Sequence, residues 1–232
     1  MYSLVLPFHS DYKRLVPTLE QLKNASQKFG IKEILLCHNG PNLEALEAAR
    51  GYETGIIRVF HTSEKGIGAA YRLGILNATQ ANTILSASDL PFGFSDVESF
   101  ENYKNEIGNY PDLAIGSKFH LRSEISSYQL SRKIYSRIFY ILRVLILGFS
   151  TPKDSQGTIL GSTEILRRLE EKTISRDYFF SLEILSIAIA QSINVIELPI
   201  QLTNHDQESS VAPVNDGLSM MKRLLELRRR LT

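Results

Sequence analysis

Apolar residues along this chain follow two rhythms. In short runs they are nearly continuous, and between those runs they recur every three or four positions. Tyr2–Pro7 is the first continuous run and predicts a strand. Ser10 and Asp11 then offer a helix cap, and Leu15, Leu19, Leu22 and Ala25 or Ser26 trace one face of a helix that Gly30 ends. Ile31–Cys37 predicts a second strand, stopped by the turn sequence His-Asn-Gly-Pro-Asn. A helix over Asn42–Arg50 and a strand over Gly55–Phe60 follow. Gly66 and Gly68 then open a helix carrying Ala69, Ala70, Leu73 and Leu76. Thr83–Ala87 reads as a fourth strand, Val97–Ile107 as a helix, and Leu113–Ile115 as a fifth strand running into Gly-Ser-Lys.

This alternation of strand and helix predicts an α/β fold built on a doubly wound, mostly parallel sheet. In such sheets ligands bind beyond the carboxyl ends of the strands. Pro7, His38, His61, Asp89 and Lys118 all fall at those ends. The second half is less regular. A helix is expected over Ser131–Phe149, a polar loop at 150–157, a helix near Thr163–Glu171, another entered through Arg176–Phe180, and a strand at Asn194–Ile200. Thr203–Gly217 is polar and turn-rich, and the last residues, from Leu218, form a basic amphipathic helix. Neither an internal repeat nor a low-complexity linker divides the chain. It therefore reads as one domain over 1–232, with a first half at 1–118 and a second at 119–232.

Composition removes several classes of function. The 232 residues are 43% hydrophobic and 22% charged, as in a globular α/β protein, and the net charge of +1 supplies no bulk field for nucleic acid. A single cysteine, Cys37, excludes an internal disulfide framework or a Cys-rich zinc site. The apolar stretch Ile138–Phe149 is too short to cross a bilayer and contains Arg143, so it reads as a buried or interfacial helix. The expected compartment is the cytoplasm, with peripheral contact at the inner face of the membrane. The five histidines show no metal-ligand spacing and read as ordinary strand-end or loop residues.

The order of short motifs resembles the family 2 glycosyltransferases, in particular their polyprenyl-phosphate (dolichol-phosphate) mannosyl- and glucosyltransferase branch. "LVLPFHSD" stands at the family's strand ending in Pro-x-Tyr-Asn-Glu, and "LLCHNGPN" at its Val-Asp-Asp-Gly-Ser. "EKGIGAAYRLGI" is close to its Asn-x-Gly-x-Gly-x-Ala-x-Arg-x-Gly. "ILSASDLP" falls on Asp-Ala-Asp-Leu, "AIGSK" on Gly-Ser-Arg, and "KDSQG" on the Asp-x-Gln segment. Arg132 and Ser136 match an Arg-x-x-x-Ser helix, Glu183 and Glu197 match two further glutamates, and Ser209 falls in the family's Ser-rich loop. The resemblance spans about Tyr2–Val211. It implies the GT-A nucleotide-diphospho-sugar transferase fold, and transfer of a sugar from a UDP- or GDP-linked donor to a polyprenyl phosphate or related acceptor.

The chain departs from the pattern at two acidic sites. Ala87 replaces the first aspartate of the Asp-x-Asp pair, and His38-Asn39 replaces two aspartates. The resemblance implies that Asp89 is the ligand of a divalent metal, Mg²⁺ or Mn²⁺, and that Asp89, Lys65 and Arg72 address the diphosphate. Pro7, Asp11, Asn39, Gly66, Gly68 and Ser88 would complete the nucleotide-sugar side. Arg132 and Asp154, with Lys133, Gln156 and Ser209, would serve the acceptor. Glu183 and Glu197 would hydrogen-bond loop backbones.

Structural roles compete with these at several positions. The glycines could admit a phosphate or pack helix on strand. Asp89 could cap the turn before Pro91, Asp11 could cap a helix, and Arg132 and Lys133 could line a solvated face. A catalytically inactive relative kept for binding or regulation is the alternative reading that Ala87, His38 and the loss of the family's Phe-Lys after the Asp-x-Gln segment raise. A nucleotidyltransferase or dehydrogenase is disfavoured, because no glycine-rich loop follows the first strand.

Overall fold

The computed structural model describes residues 1–10, 15–125, 130–202 and 213–231. Seven strands form one sheet: β1 (Tyr2–Phe8), β2 (Ile31–Asn39), β3 (Ile57–Thr62), β4 (Asn82–Leu85), β5 (Leu113–Gly116), β7 (Ile159–Ser162) and β8 (Val195–Leu198). Their spatial order is β3-β2-β1-β4-β7-β5-β8. All neighbours are parallel except β7, which runs antiparallel between β4 and β5. Two short strands, β6 (Glu124–Ile125) and β9 (Gln201–Leu202), pair in parallel beside it.

The crossovers are helices: α1 (Leu15–Lys28), α2 (Leu43–Arg50), α3 (Ile67–Asn77), α4 (Ser95–Ile107), α5 (Leu130–Leu147), α6 (Thr163–Glu170), α7 (Phe179–Ala190) and α8 (Pro213–Leu231). β1, β2, β4 and β5 are buried on both faces almost throughout, which is why they read as continuous apolar runs. Alternate residues feed different layers. Leu4, Leu6 and Leu36 pack with α1, α2 and α4, whereas Val5, Leu35 and Cys37 pack with α3, α6 and α7. A third cluster joins Phe179 and Leu182 of α7 to Leu224 and Leu227 of α8, with Phe139, Ile146 and Leu147 of α5 against it.

The sequence reading missed β7, and the reason is local. Glycine usually marks a break in a strand pattern, but here it permits close pairing. A side chain at Gly161 would come within 2.5 Å of the Asp112 carbonyl and of Leu113, and one at Gly157 would collide with the Gly116 carbonyl. β7 also stitches together segments distant in the chain, because it lies between β4 and β5 while following α5. Among the described residues, no helix is long and apolar enough to cross a membrane.

Candidate active site

The ends of β1, β2 and β3 bring together residues that the sequence places far apart. Phe8 pairs with His38, and His38 with His61, so the histidines share one register level. His38 Nδ1 lies 2.9 Å from His61 Nδ1, the His9 ring stacks on His38, and His9 Nδ1 contacts the Asn39 carbonyl. Burial first, then the neighbouring His61 and His9 rings, hold the His38 imidazole below its ordinary pKa. Sequence reasoning overlooked this trio because the signal lies in strand order: one histidine at the end of each of three adjacent strands.

Asn39 acts as a brace. Its side-chain amide donates to the Phe8 carbonyl at 3.1 Å, and its Oδ1 accepts from the Gly66 N–H at 3.1 Å. The end of β1 is thereby tied to the start of α3. Pro7 is buried within β1 opposite Cys37. Lys65 is exposed, one residue before this junction.

The glycines at the start of α3 serve packing. The segment leading into α7 crosses them: the Ala69 N–H donates to the Arg176 carbonyl at 2.9 Å. A Cβ on Gly66, whose φ is +114°, would collide with that carbonyl, and one on Gly68 would stand 2.7 Å from the Phe180 Cβ. Arg72 points to the same segment. Its guanidinium donates to the Thr173 carbonyl at 2.7 Å and pairs with the buried carboxylate of Glu170 at 2.5 Å. In this arrangement Gly66, Gly68 and Arg72 hold α3 against the α6–α7 connection.

Asp89 sits in the turn after β4, where Leu90 adopts a positive φ of 43°. Such a conformation is costly for a non-glycine residue and recurs where a site constrains the backbone. Thr18 Oγ1 of α1 donates to the Ser88 carbonyl at 2.7 Å and fastens the turn. Burial first, then the Tyr178 phenol and the Asp89 carboxylate, push the Tyr71 hydroxyl well above its usual pKa. Ala87 leaves this turn with a single carboxylate. Among the described residues no group of three His, Cys, Asp or Glu side chains gathers to hold a metal ion. The donor set therefore fits a divalent cation only when a diphosphate supplies further oxygens.

The other side of β7 carries a second polar network. Asp154, 4% exposed, accepts from the Lys118 N–H and the Gln156 N–H, both at 3.0 Å. The Lys118 ammonium lies 4.0 Å from the same carboxylate. Glu197 accepts from the Ser117 hydroxyl at 2.5 Å and from the Asp154 N–H at 3.3 Å. Gln156 Nε2 donates to the Tyr178 carbonyl at 3.2 Å, linking this network to the segment that covers the α3 glycines. Glu183 supports that segment from within α7, accepting from the Ile174 and Ser175 N–H groups. Both glutamates thus do what the sequence suggested and hold loop backbones.

Four of the expected site residues are not placed in full. Asp11 and Ser209 lie outside the described residues, and Arg132 and Lys133 fall within α5 but their side chains are not described. The sequence reading also gave Arg143 no role in a site, yet the residue is 1% exposed and the Glu197 and Asp154 carboxylates act on its charge.

Comparison with known proteins bears on the family and the fold. The human dolichyl-phosphate beta-glucosyltransferase is 25% identical over 248 residues, covering 98% of this chain and 75% of that protein. A polyprenol monophosphomannose synthase from Mycolicibacterium smegmatis is 24% identical over 153 residues, covering 65% of this chain and 57% of that protein. Among solved structures, glucosyl-3-phosphoglycerate synthase from Mycobacterium tuberculosis, in complex with Mn²⁺, UDP and phosphoglyceric acid, superposes with a TM-score of 0.70. It is 14% identical, and the match covers all of this chain and 78% of that one, which establishes the GT-A fold. The model of glycosyl transferase family 2 matches residues 3–170, and the chain belongs to that family.

Proposed function

We propose that this chain moves a hexose from a nucleotide diphosphate sugar to a polyprenyl phosphate, by direct displacement at the anomeric carbon. One observation carries the reading. Asp89, after β4, and the Asp154–Lys118 network, around the end of β5 and the start of β7, open onto the same edge of one sheet. The chain's relatives over nearly its whole length are named for this transfer.

The acceptor phosphate is already an anion, so it requires orientation more than deprotonation. One of its oxygens forms the new bond to the anomeric carbon as the bond to the diphosphate breaks, and configuration inverts. Lys65 and Asp89 face the leaving diphosphate in this scheme. Asp89 would hold the divalent cation, which supplies positive charge against the departing phosphates. Asp154 fixes the Lys118 backbone on the acceptor side. Asn39 acts as a strut beneath the nucleoside, and the Asp11, Arg132, Lys133, Gln156 and Ser209 assignments stay with the donor and acceptor roles that the family resemblance implies.

Peripheral contact with a bilayer is part of the proposal. Ile138, Ile141 and Leu145 form an exposed stripe on α5, with Arg137 beside it, and Met221 and Leu225 are exposed on the adjoining α8 beside Lys222.

Calorimetry with UDP- and GDP-sugars, each with and without Mn²⁺, tests the donor side. Saturable binding of one donor, tightened at least tenfold by Mn²⁺ and weakened by Asp89→Asn, is expected. Silence across the panel would sink the transferase reading.

A further inference from the structure

Among the described residues, four buried side-chain atoms lack a hydrogen-bond partner: His38 Nε2, Glu170 Oε1, and Nε and Nη2 of Arg143. Glu170 is answered by the Arg72 guanidinium at 2.5 Å. A neutral imidazole can leave a bare acceptor nitrogen at modest cost. Arg143 differs from both, because a guanidinium cannot shed its proton and an unpaired buried cation is strongly unfavourable. Burial pulls its pKa down, opposed by the Tyr140 phenol and by the Glu197 and Asp154 carboxylates.

Those carboxylates do not close the gap. Asp154 is occupied by the Lys118 and Gln156 N–H groups, and Glu197 by the Ser117 hydroxyl and the Asp154 N–H. The Tyr140 ring, 5.3 Å from the guanidinium carbon, offers a π-face and no acceptor for an N–H. The orphaned atoms are also a matched pair. Nε–H and Nη2–H lie parallel on one edge of the guanidinium, the fork that meets two oxygens of a phosphoryl group or carboxylate.

We propose that Arg143 is an anion-binding residue of the acceptor side, its Nε–Nη2 edge taking two oxygens of a phosphoryl group, and that it sets the preference for a phosphorylated acceptor. The acceptor role rests on the transferase reading above, whereas the anion site itself does not. Arg143 enters from α5, near enough to Glu197 and Asp154 for their carboxylates to act on its charge. A phosphoryl group there would accept from two N–H donors that the protein leaves without a hydrogen-bond partner.

Thermal unfolding with increasing inorganic phosphate, against sodium chloride of equal ionic strength, tests the anion site in the full chain. The wild type should gain stability from phosphate beyond the salt control. Arg143→Met should be at least as stable without phosphate and lose that gain. A variant that is destabilised and keeps the full phosphate response would overturn the site.

A second arm measures transfer to a water-soluble short-chain prenyl phosphate. Arg143→Lys, which keeps the charge but not the fork, should raise the acceptor KM at least tenfold with UDP affinity within twofold of wild type. An unchanged acceptor KM alongside a lost phosphate response would confine Arg143 to free phosphate and overturn the acceptor role. Absence of UDP-sugar binding in the wild type would defeat the transferase reading, while the phosphate arm would still decide the anion site.

Discussion

The two sides of the sheet's carboxyl edge treat their polar groups differently. At the ends of β1, β2 and β3 the Asn39 and His38 side chains are matched by other parts of the protein, His38 Nε2 excepted. Asn39 is bonded to Phe8 and Gly66, His38 to His61, and the glycine face of α3 is covered by Arg176 and Phe180. Around β5, β7 and α5 the carboxylates hold backbone N–H groups while the Arg143 guanidinium keeps one edge unanswered. A motif residue's presence therefore says little about its availability. Gly66, Gly68 and Arg72 preserve the family pattern and are engaged in packing, whereas Arg143 belongs to no motif and leaves two buried N–H groups without an acceptor.

Glu183 gives the most forceful way to break that contrast. It is fully buried, it accepts from Ile174 and Ser175, and it pairs with Arg230, which also donates to the Lys172 carbonyl at 2.7 Å. Burial pushes its pKa up, but the hydrogen bonds from Ser175, Arg230 and Ile174 prevail and hold the carboxylate below its ordinary range. Removing the carboxylate leaves the Ile174 and Ser175 N–H groups without their acceptor, whereas Arg230, about a third exposed, rehydrates. Glu183→Ala should therefore cost about 2–4 kcal/mol in urea unfolding. It should also release the 174–177 segment from α3, detectable as faster amide exchange at Ala69. An unchanged Ala69 amide would mean that the wall over the glycines stands without Glu183.

Gly68→Ala sharpens the same contrast at smaller cost. If the glycine serves packing, the new methyl must push back the Phe180 Cβ and the Arg176 backbone, and stability should fall by about 1–3 kcal/mol. Nucleotide affinity, measured by calorimetry, should change less than threefold. The opposite pattern, full stability with lost nucleotide binding, would return the glycine to the ligand.

Much of the architecture was legible because burial on both faces writes strands as apolar runs and surface helices as periodic ones. The five parallel strands up to Gly116, and α1 to α4 between them, lie where those rhythms place them. β7 was hidden because Gly161 satisfies a close backbone approach that sequence patterns record as a break. The candidate site was less legible. Asp89 could be placed at a strand end, but the partners of Arg72 and Gly66 come from α6 and the α6–α7 connection, a hundred residues away. Arg143 looked like a charge on an interfacial helix. Only the packing of α5 reveals that it faces inward while Ile138, Ile141 and Leu145 face out.

The histidine trio offers the mildest test, and it bears on the matched side alone. His38 is fully buried between Phe8, His9 and His61, and its folded-state pKa lies below the ordinary 6.5. Well above pH 6.5 neither the folded nor the unfolded chain protonates this ring, so it contributes nothing to the pH dependence there. Below 6.5 the unfolded chain binds a proton that the folded protein resists, and stability must fall as pH falls until the folded ring titrates. Urea unfolding between pH 7.5 and 5.0 should show this loss in the wild type and a shallower slope in His38→Gln, with an effect smaller than that of Gly68→Ala. Equal slopes would mean that burial does not hold the His38 ring below its ordinary pKa, and that the folded strand ends accept a protonated imidazole as readily as the unfolded chain does.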